Sequence, residues 1–169
     1  GSAGDSTAVL GELLRQGARD WAAMLFAPEA VTKCEAGARV SLVVGDPPVT
    51  VAGTVRLLHD GRYTETQARH GGKRENHMGP TALVETERGG LLALTSLRHP
   101  PFSLGALTCL GIEPAKLRIL VVKAAIAYKA AYGPVAGEII EAATPGLTAI
   151  DPKGFAYKHA RRPLWPLDG

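Results

Sequence analysis

The sequence predicts an α/β fold, a mixed β-sheet with flanking helices in a single domain, and three observations carry that expectation. Helical and strand-like patterns alternate along the chain instead of separating into blocks. The run Ile119-Leu120-Val121-Val122 is short, apolar and rich in β-branched residues, the pattern of a strand buried on both faces, and it passes through Lys123 into Ala-rich sequence, Ala124 to Ala131, that favours helix. A hydrophobic content of 46% against 21% charged residues supports a packed core, and 169 residues suit one domain better than two.

The elements follow in order. Asp5 or Ser6 can cap a helix whose apolar stripe is Val9, Leu10, Leu13 and Leu14, and Gly17 closes it. Trp21 to Phe26 reads as a short buried strand. Pro28 and Glu29 suit the first turn of a helix that ends by Gly37. Arg39 to Val44 and Val49 to Leu58 are strands joined by the Gly45-Asp46-Pro47-Pro48 turn. After the His59-Asp60-Gly61 turn, Arg62 to Thr66 is expected to pair back as a hairpin. Ala68 to Pro80 reads as a polar loop. Thr81 to Thr86 and Leu91 to Ser96 form a hairpin around Glu87-Arg88-Gly89-Gly90, and Ser103 to Leu110 is a short helix. Beyond the Ile119 strand and its helix, Gly133-Pro134 breaks the chain and Val135 to Ala142 restarts regular structure. The Pro- and Trp-containing tail, Asp151 to Gly169, is expected to be an extended arm anchored by Leu164 and Trp165, because its prolines exclude both helix and central strand.

Composition narrows the function. A net charge of +3 is too weak to argue for nucleic acid, and no aromatic residues interleave with Arg and Lys as in a single-strand binder. Cys34 and Cys109 are far apart and form no CxxC, so they read as buried thiols in a reducing, cytoplasmic setting. No run approaches a membrane span.

Open α/β sheets bind ligands at the carboxyl ends of their strands, where Lys123 stands; the alternative is a Lys that packs its stem on the sheet and snorkels. Thr95, Ser96 and Arg98 close another strand, where hydroxyls and a guanidinium could meet a carboxylate or phosphate, or could serve the backbone and a surface ion pair. The small-residue entry Asp5-Ser6-Thr7 could receive an anion at a helix start or act as a plain cap. His59, His70 and His77 fit no standard metal spacing.

The blocks Gly111-Ile112-Glu113-Pro114, Arg118 to Lys123 and Ala130-Ala131-Tyr132-Gly133-Pro134-Val135-Ala136 resemble the carboxyl-terminal domain of MlrC-like (microcystinase C family) metallopeptidases. Pro145-Gly146-Leu147-Thr148 and the ending Arg161-Arg162-Pro163-Leu164-Trp165-Pro166-Leu167-Asp168 fit too. So do Gly1 to Thr7, Asp60-Gly61-Arg62, Met78-Gly79-Pro80-Thr81-Ala82 and Leu94-Thr95-Ser96-Leu97-Arg98, in the same order. The resemblance implies a zinc-dependent hydrolase of peptide or amide bonds whose metal ligands lie in an amino-terminal domain outside these residues. It also implies that this half supplies substrate contacts, through Lys123, Arg98, Ser96, Thr95, Asp5, Ser6 and Thr7, and binds no zinc itself.

Two departures stand out. Relatives carry a Ser and a His after the Lys, where this chain has Ala124, Ala125 and Ala127, leaving Tyr128 as the substitute, and the Gly45 to Pro48 loop is shorter. The expected partners are therefore the amino-terminal metal-binding domain and a peptide or amide substrate, with neither nucleic acid nor membrane; a homo-oligomer is compatible with this. Alone, the chain is expected to be inactive. The competing hypothesis is a stand-alone domain without chemistry that holds a small anion or a partner at Arg98 and Lys123.

Overall fold

A computed structural model describes residues 7–65, 74–100, 103–124, 128–144, 157–165 and 167–168. The elements are α1 (Thr7–Gln16), β1 (Trp21–Phe26), α2 (Pro28–Val31), β2 (Arg39–Val44), β3 (Val49–His59), β4 (Arg62–Thr64), β5 (Glu75–His77), β6 (Thr81–Thr86), β7 (Leu91–Thr95), α3 (Gly105–Thr108), β8 (Ile119–Val121) and α4 (Tyr128–Tyr132). Six strands form one mixed sheet in the order β2-β3-β6-β7-β1-β8, so the α/β expectation holds. β2, β3, β6 and β7 each run antiparallel to the next, whereas β1 lies parallel between β7 and β8.

Alternation along the strands sends side chains to two cores. On one face Trp21, Leu25, Val84, Leu92, Leu94, Val51 and Val55 meet Leu10 of α1 and Ala30 and Val31 of α2. On the other, Ala22, Leu83 and Ala93 meet Leu107, Leu110, Ile112, Ala131 and Tyr132. Each fully buried large aliphatic side chain here contributes roughly 1.5–3 kcal/mol. Cys34 is buried and its thiol donates to Ala30 O at 3.3 Å; Cys109 is half-buried, and both are free thiols. Among the described residues, no helix is long and apolar enough to cross a membrane.

Several expectations change. β8 is an edge strand rather than a strand buried on both faces. Val121 packs on one core and Leu120 and Val122 on the other, but among the described residues no strand pairs beyond it and Ile119 is 39% exposed. An apolar run reports contact on both faces without reporting whether a further strand lies alongside. Arg62–Thr64 does not pair back on β3, because β6 already occupies that edge through the His59–Thr81 pair. It pairs instead with Glu75–His77, inside the stretch read as loop, in a separate two-stranded sheet. α2 stops at Val31, well short of Gly37, and residues 136–144 carry no helix or strand after a 3-10 turn at Gly133–Val135. Of the predicted Ala124–Ala131 helix, Tyr128–Tyr132 is helical, and residues 125–127 lie outside the described residues. In the tail, Trp165 is 83% exposed, so it is not a buried anchor among the described residues. The chain there turns on itself instead of extending: Arg162 pairs with Asp168, and the Leu164 N–H donates to Asp168 Oδ2 at 2.6 Å.

Candidate functional site

Because β7, β1 and β8 are parallel, their carboxyl ends share one edge of the sheet. With β1 between them, the backbones of β7 and β8 are about 10 Å apart there, two interstrand spacings. Phe26 ends β1 level with Thr95 of β7. The guanidinium of Arg98 leans from β7 onto that neighbour and lies 4.3 Å from the centre of the Phe26 ring. Lys123 is half-buried two residues beyond the Val121–Ala23 pair, on the other side of β1. The fold thus brings Arg98 and Lys123 to one edge from positions 25 residues apart in sequence.

Thr95 and Ser96 stand at the same edge but are turned to the backbone. Thr95 is 1% exposed and its hydroxyl donates to Leu97 O at 3.0 Å. Ser96 donates its N–H to Pro80 O, and its hydroxyl packs on Gly79, where an added Cβ would lie 2.3 Å from Oγ. Thr7 is elsewhere. It is buried against Gly45 in the β2–β3 turn, at the opposite end of the sheet, and its hydroxyl has no partner among the described residues. Asp5 and Ser6 lie outside the described residues.

A second set of groups at this edge escaped sequence reading. The hydroxyl of Tyr63 in β4 meets His99 Nε2 at 2.7 Å and Ser103 Oγ at 3.4 Å, and Tyr132 of α4 donates to Ser103 O at 3.0 Å. Glu65, on the same strand face as Tyr63, is 8% exposed, and its Oε1 has no partner among the described residues. It fits only because α3 begins with a glycine: a Cβ on Gly105 would lie 2.6 Å from that oxygen and 2.7 Å from the Tyr63 ring. Burial, helped by the Glu65 charge, pushes the Tyr63 phenol up to about 12, and burial likewise raises Tyr132. Burial holds His99 below the usual imidazole range against the opposing pull of Glu65, and it pushes the Cys109 thiol up to about 11. The legible signal was Tyr63-x-Glu65, two polar residues spaced to share a strand face. The sequence did not show which loop would meet them.

Other candidates are engaged elsewhere. His59 Nδ1 accepts from the Gly61 N–H at 2.9 Å. Tyr128, the substitute for the absent His, donates its hydroxyl to Glu141 at 2.7 Å on an exposed surface, where Lys129 also pairs with Glu141. An open depression of about 330 Å³ lies on the uncovered face of β2, β3 and β6, lined by Arg39, Thr54, Arg56, Glu85 and Glu87. It is spanned by the ion pairs Arg39–Glu87 and Arg56–Glu85, far from the carboxyl edge. Among the described residues, no group of three or more His, Cys, Asp or Glu is arranged to hold a metal ion.

The chain is a single α/β domain whose open mixed sheet carries Arg98, His99 and Lys123 near the carboxyl edge of its parallel strands, the edge at which open α/β sheets generally bind ligands. The chain belongs to the MlrC C-terminus family, whose model matches residues 1–159. It is also similar to the crystal structure of a "putative metallopeptidase" from Mesorhizobium sp. BNC1, with a TM-score of 0.82 and 27% identity over 98% of this chain. The match covers 35% of that protein, so the chain spans about a third of its length. No curated protein matches the chain.

Proposed function

We propose that this chain is the substrate-contacting, carboxyl-terminal domain of a zinc-dependent hydrolase of peptide or amide bonds. The observation that carries the proposal is the pairing of Arg98 and Lys123 on either side of β1 at the carboxyl edge. Family membership and the likeness to the Mesorhizobium protein support it. Cationic groups fixed at such an edge bind a substrate carboxylate, or stabilise negative charge growing on a carbonyl oxygen. The described residues do not fit a zinc site, since no three ligands gather and the rings of His59 and His99 make local hydrogen bonds. On this reading the zinc is held by an amino-terminal domain outside these residues. Two free thiols support a reducing, cytoplasmic compartment.

The test is Lys123→Ala and Arg98→Ala in the two-domain protein. Each is expected to lower kcat/KM at least tenfold, roughly 1.4 kcal/mol of transition-state stabilisation. Melting temperatures should stay within a few degrees, because the exposed guanidinium–ring contact is worth only about 0.5–1 kcal/mol. Wild-type turnover in both variants, together with phosphate binding by the chain alone, would replace the hydrolase reading with the small-anion domain. Unfolding of the Lys123 variant would make that residue structural.

A further inference from the structure

We propose that His99 is a ligand-contacting hydrogen-bond donor of the carboxyl-edge site, fixed in its Nδ1–H tautomer by Tyr63; this deepens the substrate-contacting role proposed above. The Tyr63 hydroxyl and His99 Nε2 are 2.7 Å apart, so one hydrogen bridges them. If the imidazole supplied it, the phenol would have to direct its own hydrogen to Ser103 Oγ, 3.4 Å away at the outer limit of a hydrogen bond. A phenol is the better donor and an sp² imidazole nitrogen the better acceptor, so Tyr63 donates and Nε2 accepts. A neutral imidazole with Nε2 occupied in this way carries its proton on Nδ1. Burial keeps His99 neutral near pH 7, and Glu65 is the charged group facing it, with Tyr132 and Cys109 behind Tyr63.

Nδ1 makes no hydrogen bond among the described residues. His99 is half-buried, so part of the residue stays open to solvent at this edge. It is the residue after Arg98, four positions beyond the end of β7. A neutral N–H suits oxygen acceptors, a carboxylate or an amide carbonyl, and not a cation, and the preceding residue is the cationic Arg98. The group donates a hydrogen bond and does not transfer its proton. Passing on the Nδ1 proton would require Nε2 to take the Tyr63 proton, leaving a phenolate opposed by the Glu65 charge. Tyr63 is therefore a positioning residue.

The experiment is nitrogen-15 NMR of histidine side chains in this chain, with acetate as the carboxylate probe. Wild-type His99 is expected in the Nδ1–H form, and Tyr63→Phe should give a mixture of tautomers. His99→Gln keeps a group that reaches Tyr63 but loses the outward donor, whereas His99→Asn keeps a donor near the Nδ1 position and gives up Tyr63. Followed at the Arg98 side-chain Nε, acetate affinity should fall at least fivefold in His99→Gln and less in His99→Asn. The reverse order, unchanged affinity in His99→Gln, or an Nε2–H tautomer in the wild type overturns the proposal. If the Gln variant does not fold, the wild-type tautomer and its response to acetate decide. These readouts need no hydrolysis, so an inactive two-domain protein would count against the hydrolase reading while leaving this result standing.

Discussion

Replacing Gly61 by alanine should destabilise the domain by about 2–5 kcal/mol and disturb the carboxyl edge as well. Gly61 has φ +76°, a left-handed conformation that costs a residue with a Cβ roughly 1–2 kcal/mol. The new Cβ would also lie 2.0 Å from Gly79 O and 3.0 Å from Gly79 C and N. That is more than ~1 Å inside ordinary contact, and it is contact with backbone, which cannot swing aside. Gly79 in turn packs on Ser96 and Leu97, and the Met78 N–H donates to Gly61 O at 2.8 Å while the Leu97 N–H donates to Met78 O at 2.9 Å. A displaced Gly79 therefore strains bonds worth about 0.5–1.5 kcal/mol each and moves the strand end that carries Arg98.

Gly37→Ala is the control, since Gly37 has φ +79° and nothing within 4 Å of an added Cβ; it should cost only the conformational part, about 1–2 kcal/mol. Urea unfolding in a Trp165→Phe background reads the difference cleanly, leaving Trp21, 0% exposed, as the reporter. The excess of the Gly61 variant over the control is expected at about 1–3 kcal/mol, a further few to ten degrees in Tm. Equal losses in the two variants, within about 0.5 kcal/mol, would refute the contact argument.

Two further outcomes follow from the site. Stability should depend on pH at both extremes. His99 is depressed on folding, so the unfolded chain binds more protons as pH falls below about 6.5, and stability declines there until His99 itself titrates. Tyr63, Tyr132 and Cys109 are raised, so stability falls as pH climbs past 9 and 10. Thermal melts should show His99→Gln flattening the acid limb and Tyr63→Phe reducing the alkaline one; unchanged limbs would mean these groups are not perturbed as the structure implies. Elemental mass spectrometry of the dialysed chain should give zinc far below one per chain. One zinc per chain would mean that His59, His70, His77, His99 or His159 do form a site, against the division of labour proposed above.

The sequence alone determined the local features. The strands Thr81–Thr86 and Leu91–Thr95, the hairpin turn between them, the alternating α/β class and the family motifs could each be read from a few neighbouring residues, because propensity and turn chemistry are short-range. It also placed Arg98 and Lys123 at strand ends. Tertiary structure decided what those ends meet. Only pairing through β1 shows that Arg98 and Lys123 share an edge, and only the sheet order makes β8 an outer strand. Packing likewise joined motifs that sequence could only order along the chain, stacking Gly61 on Gly79 and Gly79 on Ser96 and Leu97. Tyr63 reached His99 across 36 residues by the same means. Such contacts depend on how loops close over the sheet, and neither hydrophobic period nor turn signals encode that long-range geometry.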